Sequence, residues 1–241
     1  MSPIFSDAAL VEQKINQSLI NFPVVKRLVY KDWHLNRKLI ATYVGGGIFG
    51  LSIISLGEWQ FFFGAITFLS MMVGLGNHQI AVTMINERKE QTLPFIMSLP
   101  VSPTDYAIAK LLSNMVTFFV PWFFLTAMVS LIILVTPMYD GFLPFAVLVC
   151  VLVALNHCVT WSIGMATESE GAIMGVMIGL NCLLNPALYF LARSSEINSY
   201  FKSPDIYWSG LPFQVLLLEI LAIVGVIGLS LYLQTRKKVF Y

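Results

Sequence analysis

Long runs of apolar residues alternate with short polar segments along this 241-residue chain. Each run has about 19 to 27 residues, enough for an α-helix to cross a hydrocarbon core of roughly 30 Å. The pattern predicts an all-α, polytopic integral membrane protein with six transmembrane helices, at residues 39–57, 61–85, 111–137, 142–166, 171–192 and 211–234. Asn185-Pro186 interrupts the fifth run, where proline can end or kink a helix.

The first 22 residues carry a different helical pattern. Apolar residues recur at every third or fourth position, which places them along one face of a helix. These positions are Ile4, Ala8, Val11, Ile15, Leu19 and Phe22. We expect an amphipathic helix in the membrane interface, with packing on a soluble partner as the alternative. The predicted division is therefore cytoplasmic amphipathic and connecting helices at 1–38 and a transmembrane domain at 39–241.

The segment at 86–110, "NERKEQTLPFIMSLPVSPTDYAIAK", separates the second and third runs and is both charged and apolar. Its "SPTD" at 102–105 is typical of a helix start, with serine at the cap and proline at the first helical position. Thr92 can cap an earlier short helix that Pro100 ends. The pattern predicts helix, short helix, helix, and the apolar side chains of the short helix need a partner surface.

Composition and charge support a membrane protein and predict its orientation. Hydrophobic residues make up 57% of the chain and charged residues 11%, too few to cover the surface of a soluble domain. If six helices cross the bilayer, every Lys and Arg except Arg193 and Lys202 lies on one side. The positive-inside bias then places both termini and the 86–110 segment in the cytoplasm, with the 193–210 connection outside, where part of it folds back as short helices. We expect a bacterial inner (plasma) membrane.

The 86–110 segment resembles the region after the second span of ABC transporter permeases of the type-two exporter superfamily. That pattern has a glutamate, a charged turn, Thr-Leu, an apolar triplet and Ser-Leu-Pro-Val-Ser, followed by an Ala-Lys that enters the next span. The matching positions are Glu87, Gln91, Thr92, Leu93, Leu99, Pro100, Val101, Ser102, Ala109 and Lys110. Gln91 stands where the family commonly has glycine, and Pro94 where it commonly has an acidic residue. These two departures alter the detail of the turn but not the order of the helices. The six-span layout and the N-terminal amphipathic helix also match the family.

The resemblance implies a coupling helix that docks in a groove of a separate cytoplasmic ATPase subunit. The residues assigned to this contact are Glu87, Arg88, Thr92, Leu93, Phe95, Ile96, Leu99 and Pro100. A hairpin that packs on its own membrane surface is the alternative for this segment. Because the chain has no G-x-x-x-x-G-K-[ST] phosphate loop, Mg-ATP and its hydrolysis are expected in the partner, and this chain is expected to be neither an enzyme nor a cofactor protein.

The resemblance also implies a function and an assembly. Six spans are half of the family's usual pathway, so a second permease copy or a homologous permease is expected, with no nucleic acid as a partner. The implied function is ATP-driven export of an amphipathic or hydrophobic cargo by alternating access. The cargo classes left open are a peptide, a lipid or glycan intermediate, and a drug-like toxin.

Polar side chains inside the apolar runs are costly in lipid and are candidates for a translocation path. They are His78, Asn156, His157, Asn181 and Glu219. As an anion, Glu219 needs a cationic partner, a water-filled cavity or a proton, and the two histidines are candidate partners. For each residue the alternative is a hydrogen bond between helices.

Glu219 keeps a second function open, a proton- or ion-coupled secondary transporter, although no repeat relates the two halves of the chain. A third, an intramembrane hydrolase that uses His78, His157 and Glu219, lacks any HExxH or GxSxG pattern. Cys150, Cys158 and Cys182 show no CxxC spacing, so no metal site is expected.

Two glycine motifs predict close helix packing. Gly46 and Gly50 form one GxxxG step, and Gly171, Gly175 and Gly179 form two overlapping steps. Small residues at this spacing let helices approach closely in lipid. We expect both motifs to pack within the bundle, with a dimer face as the alternative.

Overall fold

The computed structural model describes residues 21–54, 56–86, 103–167, 169–208 and 210–236. Over these residues the chain is helical with short connections, and six helices are long and apolar enough to span a membrane. The predicted coupling residues, Glu87 to Pro100, lie outside the described residues. The predicted N-terminal amphipathic helix also lies outside them, except for its last two residues.

The helices follow the predicted runs in order. The described elements are α1 (Phe22–Ile54), α2 (Glu58–Ile80), α3 (Pro103–Val135), α4 (Leu143–Ala166), α5 (Glu170–Arg193), α6 (Ser195–Asn198) and α7 (Leu211–Arg236). A π-helical segment, Ala81–Asn86, extends α2, and a 3-10 turn, Asp140–Phe142, precedes α4.

The prediction of six membrane-length helices is confirmed, and α1 and α3 are longer than their apolar runs alone suggest. α1 begins at Phe22 and runs unbroken through residues 38 and 39. α5 continues through Pro186, because a backbone in apolar surroundings has no water to bond and keeps its helical hydrogen bonds around an isolated proline. α3 begins at Pro103, where the "SPTD" pattern predicts a helix start.

α4 is the central helix of the bundle. It packs against α2, α3, α5 and α7, while α1 packs along α2 and α3. In the most apolar stretch of α4, 67% of the residues are buried, against 6% in α5 and 11% in α7. A helix that is hydrophobic all round suits a central position, because every face of it meets protein.

α1 and α3 each have 33 residues. At 1.5 Å per residue such a helix is about 50 Å long, more than a hydrocarbon core of roughly 30 Å. The two helices begin at the same end of the bundle, where the backbone N–H of Asn21 donates to Oδ1 of Asp105 at 2.9 Å. We call this the proximal end; the distal end holds residues 56–57, 136–142 and 194–208.

The two glycine motifs pack differently. A Cβ on Gly50 would lie 2.9 Å from both the carbonyl oxygen of Gly64 and the amide nitrogen of Phe68, so α1 and α2 touch backbone to backbone there. A Cβ on Gly175 or Gly179 would meet nothing within 4 Å among the described residues. The prediction of packing within the bundle is therefore confirmed for the first motif and wrong for the second, because α5 turns another face to α4.

The distal connection after α5 is held by specific contacts. Glu196 Oε2 accepts a hydrogen bond from the backbone N–H of Leu211 at 2.9 Å, and Tyr200 stacks on Tyr207 with ring centroids 4.3 Å apart. The N–H of Gly141 donates to the carbonyl of Ser203 at 3.0 Å. Position 141 requires glycine, because the backbone of Tyr200 occupies the space of a Cβ.

Candidate functional site

His157 lies at the centre of the bundle, on the buried helix α4. Its ring is 3% exposed and stacks on Phe118 of α3, with centroids 3.7 Å apart and planes at 13°. Its Nε2 lies 3.2 Å from Nδ2 of Asn114. Gly76 of α2 leaves room for the ring, since a Cβ there would lie 2.9 Å from Nδ1 of His157. Three helices therefore meet at this imidazole.

A second group of polar side chains joins α2 to α3 beside the imidazole. Gln79 is fully buried, and its Nε2 donates to the backbone carbonyl of Thr117 at 2.6 Å. The hydroxyl of Thr83 donates to the carbonyl of Gln79 at 2.7 Å. We call the buried residues Gln79, Ser113, Asn114, Thr117 and His157 the polar belt.

The polar belt contains acceptors that lack donors. Gln79 Oε1, Asn114 Oδ1 and Ser113 Oγ are buried without a hydrogen-bond partner among the described residues. An unmet polar group in an apolar interior costs about 1–3 kcal/mol. Buried unmet groups are rare in folded proteins, and a functional role or a bound water is a common explanation for them.

The space at the belt is small. A cavity of about 10 Å³ lies between α2, α3 and α4, lined in part by Asn77, Asn156 and His157. This volume is at the lower limit for one water molecule, which needs roughly 10–15 Å³ on the same measure. The three helices are therefore closely packed around this cavity.

Asn156 and Asn181 are brought together as a pair between α4 and α5. Nδ2 of Asn156 donates to Oδ1 of Asn181 at 3.1 Å, and the hydroxyl of Thr160 donates to the carbonyl of Asn156 at 2.9 Å. This contact is the helix-to-helix hydrogen bond that the sequence left open as an alternative. It connects the central helix to the exposed helix α5.

His78 and Glu219 lie apart from that pair. The hydroxyl of Tyr43 on α1 lies 3.3 Å from Nδ1 of His78. Glu219 on α7 is 3% exposed, and its Oε2 has no hydrogen-bond partner among the described residues. No hydrogen bond or ion pair joins Glu219 to either histidine in the described part of the chain, so the structure does not link His78, His157 and Glu219 into one bonded site.

The structure adds polar residues that the sequence analysis missed. Gln79 and Asn114 are buried in membrane-length helices, and the criterion that selected His78 and Asn156 would have selected them too. Trp122, in mid-helix, is placed by a hydrogen bond from Nε1 to the carbonyl of Cys150 at 2.8 Å. Among the described residues no three His, Cys, Asp or Glu side chains come together as metal ligands.

Comparison of this chain with protein-family models, with curated proteins and with solved structures finds no match. A functional conclusion therefore depends on the residues and geometry described above.

Proposed function

We propose that this chain is the transmembrane permease subunit of an ATP-driven ABC exporter, with the 86–110 segment as its contact to a separate ATPase. The proposal rests on the resemblance of that segment and on six membrane-length helices. The observation that carries it is the position of the segment's two ends. α2 ends and α3 begins at the proximal end, where Met84 and Ile85 share a hydrophobic cluster with Leu111 and Met115, so residues 87–102 connect helix ends on the same side of the bundle.

The start of α3 is well connected to the rest of the bundle, as a coupling element requires. Its first turn holds Asn21 through Asp105, and α3 packs along α1 over a shared length of membrane. Both helices are longer than a hydrocarbon core, which supports their extension into water at the proximal end. A push on the 87–102 segment therefore acts on α1 and α3 together.

The end of α2 supplies the second connection. The π-helical segment Ala81–Asn86 begins two residues after Gln79 of the polar belt, and π-helical turns are frequent at functional sites. In the proposed cycle, movement of the 86–110 segment changes this turn and separates α2 from α3 at the belt. That separation breaks the bond from Gln79 to the Thr117 carbonyl, and new partners for the unmet polar atoms of the belt offset part of this loss.

The exposed helices support a second permease copy or a homologous permease as partner. α5 and α7 are the least buried of the six long helices, and Gly175 and Gly179 leave open space along α5. Glycines at this spacing allow another helix to approach closely in lipid. A complete pathway of twelve spans would then form between two six-helix chains.

The proposed setting is a bacterial inner membrane with the proximal end and both termini in the cytoplasm, as the distribution of Lys and Arg favours. Mg-ATP binds and is hydrolysed in the partner ATPase. The cargo is amphipathic or hydrophobic: a peptide, a lipid or glycan intermediate, or a drug-like toxin. The lipid bilayer is the remaining partner.

Purification of the tagged full chain from its native membranes tests this function. We expect an ABC ATPase to co-purify with the wild-type chain and with Phe22→Glu, a charge placed on an exposed proximal residue outside the segment. Leu93→Glu and Ile96→Glu should lose the ATPase while still eluting as folded protein. Retention of the ATPase by both segment variants, or cargo transport without ATP, would contradict the proposal.

A second candidate function is favoured by Glu219. A buried carboxyl oxygen without a partner in the described structure suits a proton- or ion-coupled secondary transporter. In that case Glu219→Gln would abolish transport driven by an ion gradient, and no ATPase would be needed. Transport in proteoliposomes that contain only this chain separates the two candidates.

A further inference from the structure

The distal end of the bundle has a partly open cavity with no polar lining, which we call the dry cavity. Its volume is about 120 Å³, and every residue that lines it is apolar. Ile54, Phe68, Val129, Ile133, Ala146 and Leu188 contribute walls from five of the six long helices. Cavities of this size with aliphatic and aromatic walls exclude water and accept apolar guests. Since an empty void forfeits dispersion contacts, an apolar group that enters it is stabilised.

Aromatic rings cover this cavity at the distal surface. Phe142 lies edge-on to both Phe61 and Phe201, with ring centroids 5.6 and 5.4 Å away, and Phe145 lies 5.1 Å from Phe201. The bond from Gly141 to Ser203 holds the loop that carries Phe201 against the start of α4.

A wider cleft lies outside this aromatic cover. Its volume is about 570 Å³, and it shares Ile54, Phe61, Met138 and Phe142 with the dry cavity. The two spaces are therefore adjacent, with the same aromatic side chains between them.

The cleft carries one acid and one base. Glu58 and Lys202 both line it, both are exposed, and in the described part of the chain they form no ion pair with each other or with another residue. A carboxylate and an ammonium on one cleft, not neutralised by each other, complement a ligand that carries both charges.

We propose that the distal cleft and cavity form a binding site for a zwitterionic single-chain amphiphile. Its phosphate contacts Lys202, its ammonium group contacts Glu58, and its alkyl chain passes the aromatic cover into the cavity. On this measure a group of about the size of water needs roughly 10–15 Å³, so the cavity is large enough for the end of an alkyl chain. A peptide helix, with a diameter of about 10 Å, is too wide for it. The site does not depend on the proposed exporter function.

The two parts of the site have different effects on affinity. Lipid tails are as apolar as the cavity walls, so transfer of an alkyl chain from the bilayer contributes little selectivity. The headgroup charges must therefore decide which amphiphile binds, while the cavity decides where its chain lies.

Photo-crosslinking of the purified full chain in maltoside micelles tests both parts. The probe is an alkylphosphocholine with a diazirine at the end of its chain, and the labelled peptides are identified by mass spectrometry. We expect labelling of cavity walls within 129–149, with displacement by unlabelled dodecylphosphocholine at concentrations where dodecylmaltoside is ineffective. Glu58→Gln and Lys202→Gln should each weaken this displacement about threefold, a modest factor because both charges are exposed.

Cavity-filling variants provide the second part of the crosslinking experiment. Ala146→Leu and Ala65→Leu each add bulk to the cavity wall and should abolish labelling of Val129, Ile133 and Val149, which line the cavity but not the cleft. Ala127→Leu makes the same change on an exposed face of α3 and should label like the wild-type chain. If Ala146→Leu does not elute as folded protein, Ala65→Leu alone tests whether the cavity holds the alkyl chain.

Three results would overturn the proposal. One is labelling spread over the lipid-facing sides of the helices without enrichment at 129–149. Another is equal displacement by the phosphocholine and the maltoside. The third is wild-type labelling in a folded cavity-filling variant.

Discussion

Gly76 is the position at which a single methyl group tests the packing around His157. In Gly76→Ala the added Cβ would lie 2.9 Å from His157 Nδ1 and 3.2 Å from Cε2 of Phe118. The imidazole cannot move aside cheaply, because it stacks on Phe118 and lies within hydrogen-bond distance of Asn114. Overpacking of a close-packed interior costs about 1–3 kcal/mol, and we expect this loss in the free energy of unfolding.

A double-mutant cycle isolates the contact. His157→Ala removes a stacked pair worth about 0.5–1.5 kcal/mol and leaves the buried Asn114 amide without a partner, at about 1–3 kcal/mol, so about 1.5–4.5 kcal/mol should be lost. It also removes the atom that the new methyl group meets. The double variant should therefore be more stable than the sum of the single effects predicts, with a coupling of about 1–3 kcal/mol.

The assay is reversible unfolding of the purified chain by SDS in mixed micelles, followed by tryptophan fluorescence. Gly175→Ala is the matched control, since its Cβ would meet nothing within 4 Å among the described residues. Alanine is about 1 kcal/mol better than glycine inside a helix, so the control should be neutral or slightly stabilised. Additive single effects, or a control that loses as much stability as Gly76→Ala, would refute the packing described for His157.

Three further changes test other contacts by the same unfolding assay. Gly50→Ala should lower the free energy of unfolding more than Gly76→Ala does, because its Cβ meets the rigid backbone at Gly64 rather than a side chain. A Gly50→Ala variant as stable as wild type would contradict the backbone contact of α1 and α2. Trp122→Phe should lose about 1 kcal/mol with the hydrogen bond to the Cys150 carbonyl, and no loss would mean that this bond contributes nothing. Glu219→Gln should unfold at the same SDS fraction as wild type or a higher one, since an amide avoids the cost of a buried carboxylate; a loss of more than about 2 kcal/mol would reveal an ion pair.

Six helices and their approximate positions followed from the sequence, because a chain in lipid must satisfy its own backbone hydrogen bonds and a long apolar run can do so only as a helix. The start of α3 at Pro103 followed from local capping chemistry, which acts within one turn. The coupling residues from Glu87 to Pro100 also come from the sequence alone, and they stay a prediction.

Only the tertiary structure decided which helix is central and which polar groups meet. α7 has the highest mean hydropathy of the six, yet 11% of its most apolar stretch is buried, against 67% for α4, because lipid and protein accept the same side chains. His157 lies beside Asn114, 43 positions away in the chain, and Gly50 packs while Gly175 meets nothing within 4 Å among the described residues, at identical GxxxG spacing. Apolar character and spacing describe one helix at a time, whereas partners and cavities depend on which faces the other helices turn toward it.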